Sequence, residues 1–343
     1  MDDVVDEIKH FIDKNSSDDS ADDYLLMNGS YEAIALDKKN FHPIDNSTDI
    51  DDERHKEKSG LLFVDGGNSI IFESANFCLG FIRVAGLVYE DNVRISRHIK
   101  EFYVIISQEE EKFVVKTFPD SSMNGIIFDP DDASLKIGKE KCSISRIVSI
   151  IRRFAELEHA YSLDSQEISY IILDGTLEAR YPFESEYLNK AFLTKKVSAL
   201  SKTCSLTTKQ GKSITKKLLD MSAIIHGSWF YNPIVINNNP MHDAEIYFVR
   251  LNGRSDYVFR FEIQKDMKDS RVLFSWLSNN SNDPIFLGYP YGFIDVDQNA
   301  RIGQEETKML RMKFAVKLGK RWNDLAENLN SMNAHDMLDK IRF

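Results

Sequence analysis

Two apolar runs, each closed by Asp-Gly, stand out along the chain. Gly60-Leu61-Leu62-Phe63-Val64 leads into Asp65-Gly66-Gly67, and Ile168-Ser169-Tyr170-Ile171-Ile172-Leu173 leads into Asp174-Gly175. Apolar runs this short, bounded by turn signals, predict strands buried on both faces. The first strand continues towards Phe72. Residues 76–89, 101–106 and 112–118 predict three more strands, and their short connections suggest an antiparallel meander. Residues 121–140 read as a loop. In 144–160, Ile144, Ile147, Val148, Ile151, Phe154, Ala155 and Leu157 fall at three- and four-residue steps, which predicts a helix with one apolar face.

Further helical patterns cover 205–226, 307–329 and 334–341, and 244–263 predicts two alternating strands around Asn252-Gly253. Residues 1–15 carry Val4, Val5, Ile8, Phe11 and Ile12 near helical spacing. The acidic, Ser-rich and charged stretch that follows shows little periodicity. Residues 1–55 are therefore expected to form an irregular acidic appendage, partly helical and mostly a solvated linker, with residues 56–343 as the main domain. A meander, a helix, a further strand and later helices match the ribonuclease H-like plan. That is an α/β fold with a mixed sheet flanked by helices, here with additional helical and β elements.

Charge and composition narrow the functional classes. A net charge of -11 argues against a generally basic nucleic-acid coat, but allows an enzyme whose cations are gathered in one groove. Three widely spaced cysteines, without a CxxC or Cys-His pairing, give no zinc signature and fit a reducing cytoplasm. No apolar run predicts a secretory signal or a membrane span.

If the two Asp-Gly strands are neighbours, Asp65 and Asp174 deliver two carboxylates to one place, as sites for hard divalent cations do. Asp-Gly is also an ordinary turn signal, so both readings stand. Glu156 shares a helix face with Arg152 and Arg153. It is a candidate third carboxylate, with the arginines orienting it or contacting phosphate, or else a surface Glu paired with an Arg. Lys202, after the apolar strand 197–200, is a candidate for stabilising charge on a phosphate, or a solvated strand-end Lys. Lys195, Lys196, Lys202, Lys209, Lys212, Lys216 and Lys217 make the dense basic segment, either a path for a nucleic-acid strand or a basic surface. Residues 288–302 predict a packed aromatic turn with Asp297 as a helix N-cap. His335 is a candidate base or metal ligand, and Asp336 a ligand or a cap.

In this order and spacing, several motifs resemble the NurA nuclease family from about residue 56 to the end. They are Phe63-Val64-Asp65-Gly66-Gly67, Ile151-Arg152-Arg153-Phe154-Ala155-Glu156-Leu157, Ile172-Leu173-Asp174-Gly175-Thr176-Leu177, Ala199-Leu200-Ser201-Lys202-Thr203, Gly288-Tyr289-Pro290 with Asp297 and Arg301, and Ala334-His335-Asp336 with Leu338 and Asp339. The family usually has Ser where this chain has Gly67, and an acidic-Ala-Asp-Arg run where it has Asp295-Val296-Asp297-Gln298. The resemblance implies a ribonuclease H-like homodimer that cuts DNA with manganese (or magnesium), using two ions. It implies single-strand endonuclease and 5′-to-3′ exonuclease activity in double-strand break resection, beside a HerA-type hexameric ATP-driven translocase. Carried over, the ligands are Asp65, Glu156, Asp174, His335 and Asp336. The DNA contacts expected are Arg152, Arg153, Lys202, Lys209, Lys212 and Lys216. Two alternatives belong to other classes. One is a scaffold for a translocase that has lost catalysis. The other is a nucleotide-binding protein with Asp65-Gly66-Gly67 as a phosphate loop, but no GxxxxGK[ST] follows a strand.

Overall fold

The computed structural model describes residues 1–16, 23–27, 29–44, 60–136, 138, 140–267 and 270–322. The chain divides into two compact units. Unit I takes Asp52–Leu173, Ala179–Val197 and Gly292–Phe343, and unit II takes Met1–Asp51, Asp174–Glu178 and Ser198–Tyr291. The described elements begin with α1 (Asp2–Ser16), β1 (Tyr31–Ala33), β2 (Phe41–Pro43), β3 (Gly60–Glu73), β4 (Phe77–Glu90), β5 (Val93–Glu109), β6 (Lys112–Phe118) and β7 (Ile127–Phe128). They continue with α2 (Ile144–Ser162), β8 (Ile168–Asp174), α3 (Glu184–Phe192), β9 (Val197–Ser201), α4 (Ile214–Met221), β10 (Trp229–Tyr231) and β11 (Val235–Asn237). Last come β12 (Ala244–Arg250), β13 (Phe259–Gln264), α5 (Ser270–Asn279), α6 (Tyr291–Ala300) and α7 (Gln304–Leu318).

In unit I, β3 to β7 form an antiparallel meander, and β8 joins the other edge of β3. β8 runs parallel to β3, pairing Leu61 with Tyr170 and Val64 with Leu173. The two Asp-Gly strands are therefore neighbours. Within unit I, Ile171 N–H donates to Lys196 O, and within unit II, Gly175 N–H donates to Leu200 O. Within unit I the order β5-β4-β3-β8, three antiparallel strands followed by a parallel addition, follows the ribonuclease H-like plan, a mixed sheet with helices on its faces.

Helix α2 covers one face. A Cβ at Gly80 would lie 2.5 Å from Val148 Cγ1, so the glycine lets the helix approach closely. Phe63 projects on the other face, where its ring meets Phe293 of α6 at 5.1 Å between centroids. Helix α7 lies over the far end of β3 and β4, packing Leu310 and Phe314 against Ile71, Phe72, Leu79 and Phe81.

β3 runs through Asp65 to Glu73, in line with the strand expected to continue towards Phe72; Gly66 and Gly67 are covered by neighbouring elements and stay extended. Several other elements differ from expectation. β5 starts at Val93, where exposed Arg94, Ile95, Arg97 and His98 hide the strand pattern. The helix expected over 205–226 is confined to α4; before it, Thr207 bridges Ser213 and Gly211 takes a positive φ of 80°. β12 and β13 are joined by residues 251–258 instead of a two-residue turn.

Unit II contains the antiparallel order β2-β10-β12-β13-β9 and a separate β1–β11 pair. Its core joins Leu25, Leu36 and Phe41 to Leu218, Trp229, Tyr231 and Phe248. The described part of residues 23–44 is thus more than a solvated linker. Phe41 packs edge-on against Trp229 and Tyr231 at 4.8 and 4.7 Å. These apolar residues lack a period because each belongs to a different short piece of chain.

Candidate active site

Asp65 lies on β3 and is 6% exposed. Its Oδ1 accepts the N–H of Gly66 at 2.8 Å, the backbone donor just past the last β3–β8 pair. Alternation along the strand turns Gly66 towards α2. There a Cβ would lie 2.6 Å from Glu156 Oε1 and 3.1 Å from Arg152 Cγ. Glu156 is 3% exposed, so its carboxylate rests on the backbone next to Asp65.

The arginines fix Glu156. Arg152 Nη1 donates to Glu156 Oε1 and, at 3.0 Å, to Gly66 O, which ties helix and strand together. Arg153 Nη1 lies 3.5 Å from Glu156 Oε2, and Arg153 Nε donates to Glu184 at 3.2 Å. Both guanidinium groups are engaged with carboxylates, which serves orientation. Glu184 is a participant the sequence reading missed. It opens α3, is almost fully buried, and accepts the N–H groups of Arg180 and Tyr181 at 2.8 and 3.2 Å. Its signal was an acidic residue in the first turn of a helix, which complements the unpaired N–H groups there.

Asp174 ends β8, and Gly175 follows with a φ of 99°, so this Asp-Gly does form a turn. In unit II, Lys202 Nζ lies 2.9 Å from Asp174 Oδ2. Two candidate carboxylates therefore carry cationic partners, Glu156 in unit I and Asp174 in unit II. Among the described residues, no group of three or more His, Cys, Asp or Glu side chains stands placed to hold a metal ion. His335 and Asp336 lie outside the described residues.

Within the basic segment, Lys209 is exposed and sits over the Tyr24 ring at 5.4 Å, and exposed Lys216 pairs with Asp220 at 2.7 Å. Lys212 is half-buried, and Lys217 is buried on the inner side of α4, so it does not face solvent as expected. Lys196 is paired with Asp164.

The expected N-cap Asp297 lies inside α6 instead, 2.7 Å from Arg301 one turn on. Asp295 of the same helix accepts from Tyr89 and Arg94. The end of α6 presses on β3, since a Cβ at Gly67 would lie 2.2 Å from Ala300 O. That contact gives a physical reason for glycine at the position where Ser was the expected residue. On α2, one turn from Glu156, His159 is buried against Gly86, and burial pulls its imidazole down to about 4.

A family model described as the NurA domain matches residues 60–190. That match covers 131 of the 343 residues, within the stretch whose motifs resemble the family. The matched residues 60–190 run from β3 into α3 and include Asp65, Arg152, Arg153, Glu156, Asp174 and Glu184, whereas Lys202 and the rest of the basic segment follow them. Solved structures with some likeness to this chain include endonuclease V of Ciona intestinalis in complex with a 24mer DNA containing an inosine followed by a ribo-adenosine. It is 9% identical, covering 80% of this chain and 94% of that one, with a TM-score of 0.41. The catalytic domain of human endonuclease V is 9% identical, covering 81% and 93%, with a TM-score of 0.36. The A. aeolicus Argonaute is 11% identical, covering 71% and 28%, with a TM-score of 0.30. Likeness of that size carries no weight for function. No curated protein sequence matches the chain. Among the described residues, no helix is long and apolar enough to cross a membrane.

Proposed function

We propose that the chain is a divalent-metal-dependent DNA nuclease in which Asp65, Glu156 and Asp174 hold the cations, with His335 and Asp336 completing the set. One observation carries this reading: the Glu156 carboxylate rests on the backbone of Gly66, beside Asp65, on the strand that β8 pairs in parallel. Asp65 follows Val64 and Asp174 follows Leu173, the last registered pair of the two strands. The donor chemistry fits a hard divalent ion, since carboxylate oxygens suit Mg²⁺ and Mn²⁺, and an imidazole from His335 would favour manganese. A bound pair of ions would neutralise the scissile phosphate and lower the pKa of an attacking water.

The protein's own groups have distinct tasks in this scheme. Arg152 and Arg153 fix the Glu156 carboxylate, and Glu184 anchors Arg153. Lys202 offsets the charge of Asp174 and is 38% exposed, so its ammonium can turn to an incoming phosphate. Lys209, Lys212 and Lys216 would guide a single strand by charge, with Arg152 and Arg153 as further phosphate contacts. The NurA domain supports the finer reading of single-strand endonuclease and 5′-to-3′ exonuclease action in end resection, as a homodimer beside a HerA-type translocase. The free Cys78, Cys142 and Cys204 agree with a cytoplasmic setting.

The test is digestion of end-labelled single- and double-stranded DNA with Mn²⁺, with Mg²⁺, and with chelator. Cleavage that appears only with a divalent ion is expected. Intact DNA under every condition would instead favour the inactive scaffold.

A further inference from the structure

A chain of buried polar groups lies in unit II, outside the carboxylate set. Glu262 on β13 and His242 are both fully buried. His242 Nε2 lies 2.8 Å from Glu262 Oε2, and His242 Nδ1 lies 2.9 Å from the Tyr31 hydroxyl. Asn239 Nδ2 donates to the Tyr31 oxygen at 3.2 Å and to Glu178 Oε1 at 3.0 Å. Glu262 Oε2 also accepts the N–H of Leu177 at 2.6 Å, and Arg260 Nη2 lies 2.7 Å from Glu262 Oε1. Residues 31, 239, 242, 260 and 262 thus converge on Leu177 and Glu178, which belong to the short segment directly following Asp174. The start of that segment is tied to β9, where Ser201 Oγ donates to Gly175 O at 2.8 Å.

The hydrogen-bond directions follow from charge. Burial alone would raise the Glu262 carboxyl, but His242, Arg260 and the Leu177 N–H together hold it below its ordinary value. An ionised Glu262 accepts from His242 Nε2–H. The Tyr31 hydroxyl shares a hydrogen bond with His242 Nδ1, lies 3.4 Å from Glu178 Oε1 and receives a hydrogen bond from Asn239. Each hydrogen bond in the chain fixes the next, from a buried carboxylate to a segment of backbone. Burying a charged group with its partners is a weak source of stability compared with apolar packing. The cluster does supply direction, because it satisfies the Leu177 N–H with a charged acceptor and ties Glu178 to the N-terminal segment.

We propose that Tyr31, His242 and Glu262 are positioning residues for the nuclease, locking residues 175–178 and thereby aiming the Asp174 carboxylate. The proposal rests on the reading of Asp174 as a cation ligand. It adds a residue far upstream of the NurA match to the working parts of the enzyme. Groups that orient a ligand without touching the ion are typically worth about 10–100-fold in metal affinity or activity.

Tyr31→Phe tests it, because the ring volume stays and only the hydroxyl goes. In the full-length protein, Mn²⁺ affinity measured by titration calorimetry should fall about tenfold. The kcat on single-stranded DNA should fall by a similar factor with KM unchanged, and hydrogen exchange across 175–178 should quicken about tenfold more than across the rest of unit II. Exchange at the parent rate overturns the lock. Faster exchange with Mn²⁺ affinity within about twofold of the parent overturns its reach to Asp174. If the parent protein itself neither binds Mn²⁺ nor cuts DNA, the nuclease reading fails separately, and the exchange rate alone decides the lock.

Discussion

Gly66→Ala is the sharpest probe of the site, because it adds one carbon at the point where β3 and Glu156 touch. That carbon would stand 2.6 Å from Glu156 Oε1, 3.0 Å from its Cγ and 3.1 Å from Arg152 Cγ. Ordinary contact begins near 3.4 Å, so the Glu156 carboxylate must retreat by about 0.8 Å. Arg152 and Arg153 grip both carboxylate oxygens, and α2 is buried behind them, so the retreat is resisted. Overpacking of this kind costs about 1–3 kcal/mol, which for a domain of this size lowers the melting temperature by roughly 3–10 °C. A ligand displaced by nearly 1 Å loses on the order of 10²-fold in rate. Mn²⁺-dependent cleavage of labelled single-stranded DNA and a thermal melt measure the two effects. Gly303→Ala is the control, since a Cβ there meets nothing within 4 Å, and it should change stability by less than about 0.5 kcal/mol. Parent-like cleavage and melting in Gly66→Ala would show that Glu156 does not rest on β3 in solution, and the proposed carboxylate set would lose its central contact.

Asp65→Ala should abolish cleavage while circular dichroism and oligomeric state stay those of the parent; undiminished cutting with Mn²⁺ would remove Asp65 from the site. Replacing Lys209, Lys212 and Lys216 together by Gln should weaken single-strand binding and reduce its salt slope by up to about 2, and an unchanged slope would take the segment off the DNA path. His159 is held near 4 by burial, below the unfolded value of 6.5, so the unfolded chain binds the extra proton first. Its stabilising effect is complete above pH 6.5 and is lost as pH falls towards 4, by on the order of 3 kcal/mol. His159→Gln should flatten the urea-denaturation midpoint against pH across that window; an unchanged slope would show that another group controls it.

The sheet of unit I was legible because its strands are buried and announce themselves as apolar runs. The pairing of the Asp65 and Asp174 strands stood only as a condition, because apolar runs mark two buried strands without saying that they are neighbours. Glu156 was visible as a carboxylate on the α2 face, but its seat on Gly66 was not, since a glycine in sequence does not say what fills the space above it. The course of β3 past Gly66 and Gly67 towards Phe72 was legible, but what covers the two glycines, α2 and the end of α6, was not. Lys217 counted among the basic residues, yet the apolar spacing of Ile214 and Leu218 carries it to the inner side of α4. The Tyr31–His242–Glu262 cluster left no local trace, because its members are separated by 211 and 20 positions and meet only through tertiary packing.

The packing of Phe41 against Trp229 and Tyr231 also has a consequence for biosynthesis. The ribosome makes Phe41 long before either aromatic partner. At ordinary elongation rates the wait is roughly 10–40 s. Through that interval Leu25, Leu36 and Phe41 have nowhere to bury, so the nascent protein displays a sticky leading end while its central sheet is already assembling. A chain trimmed to start at Gly60 escapes that hazard, but the completed enzyme would then expose Trp229 to water, trading a transient risk of aggregation for a permanent one.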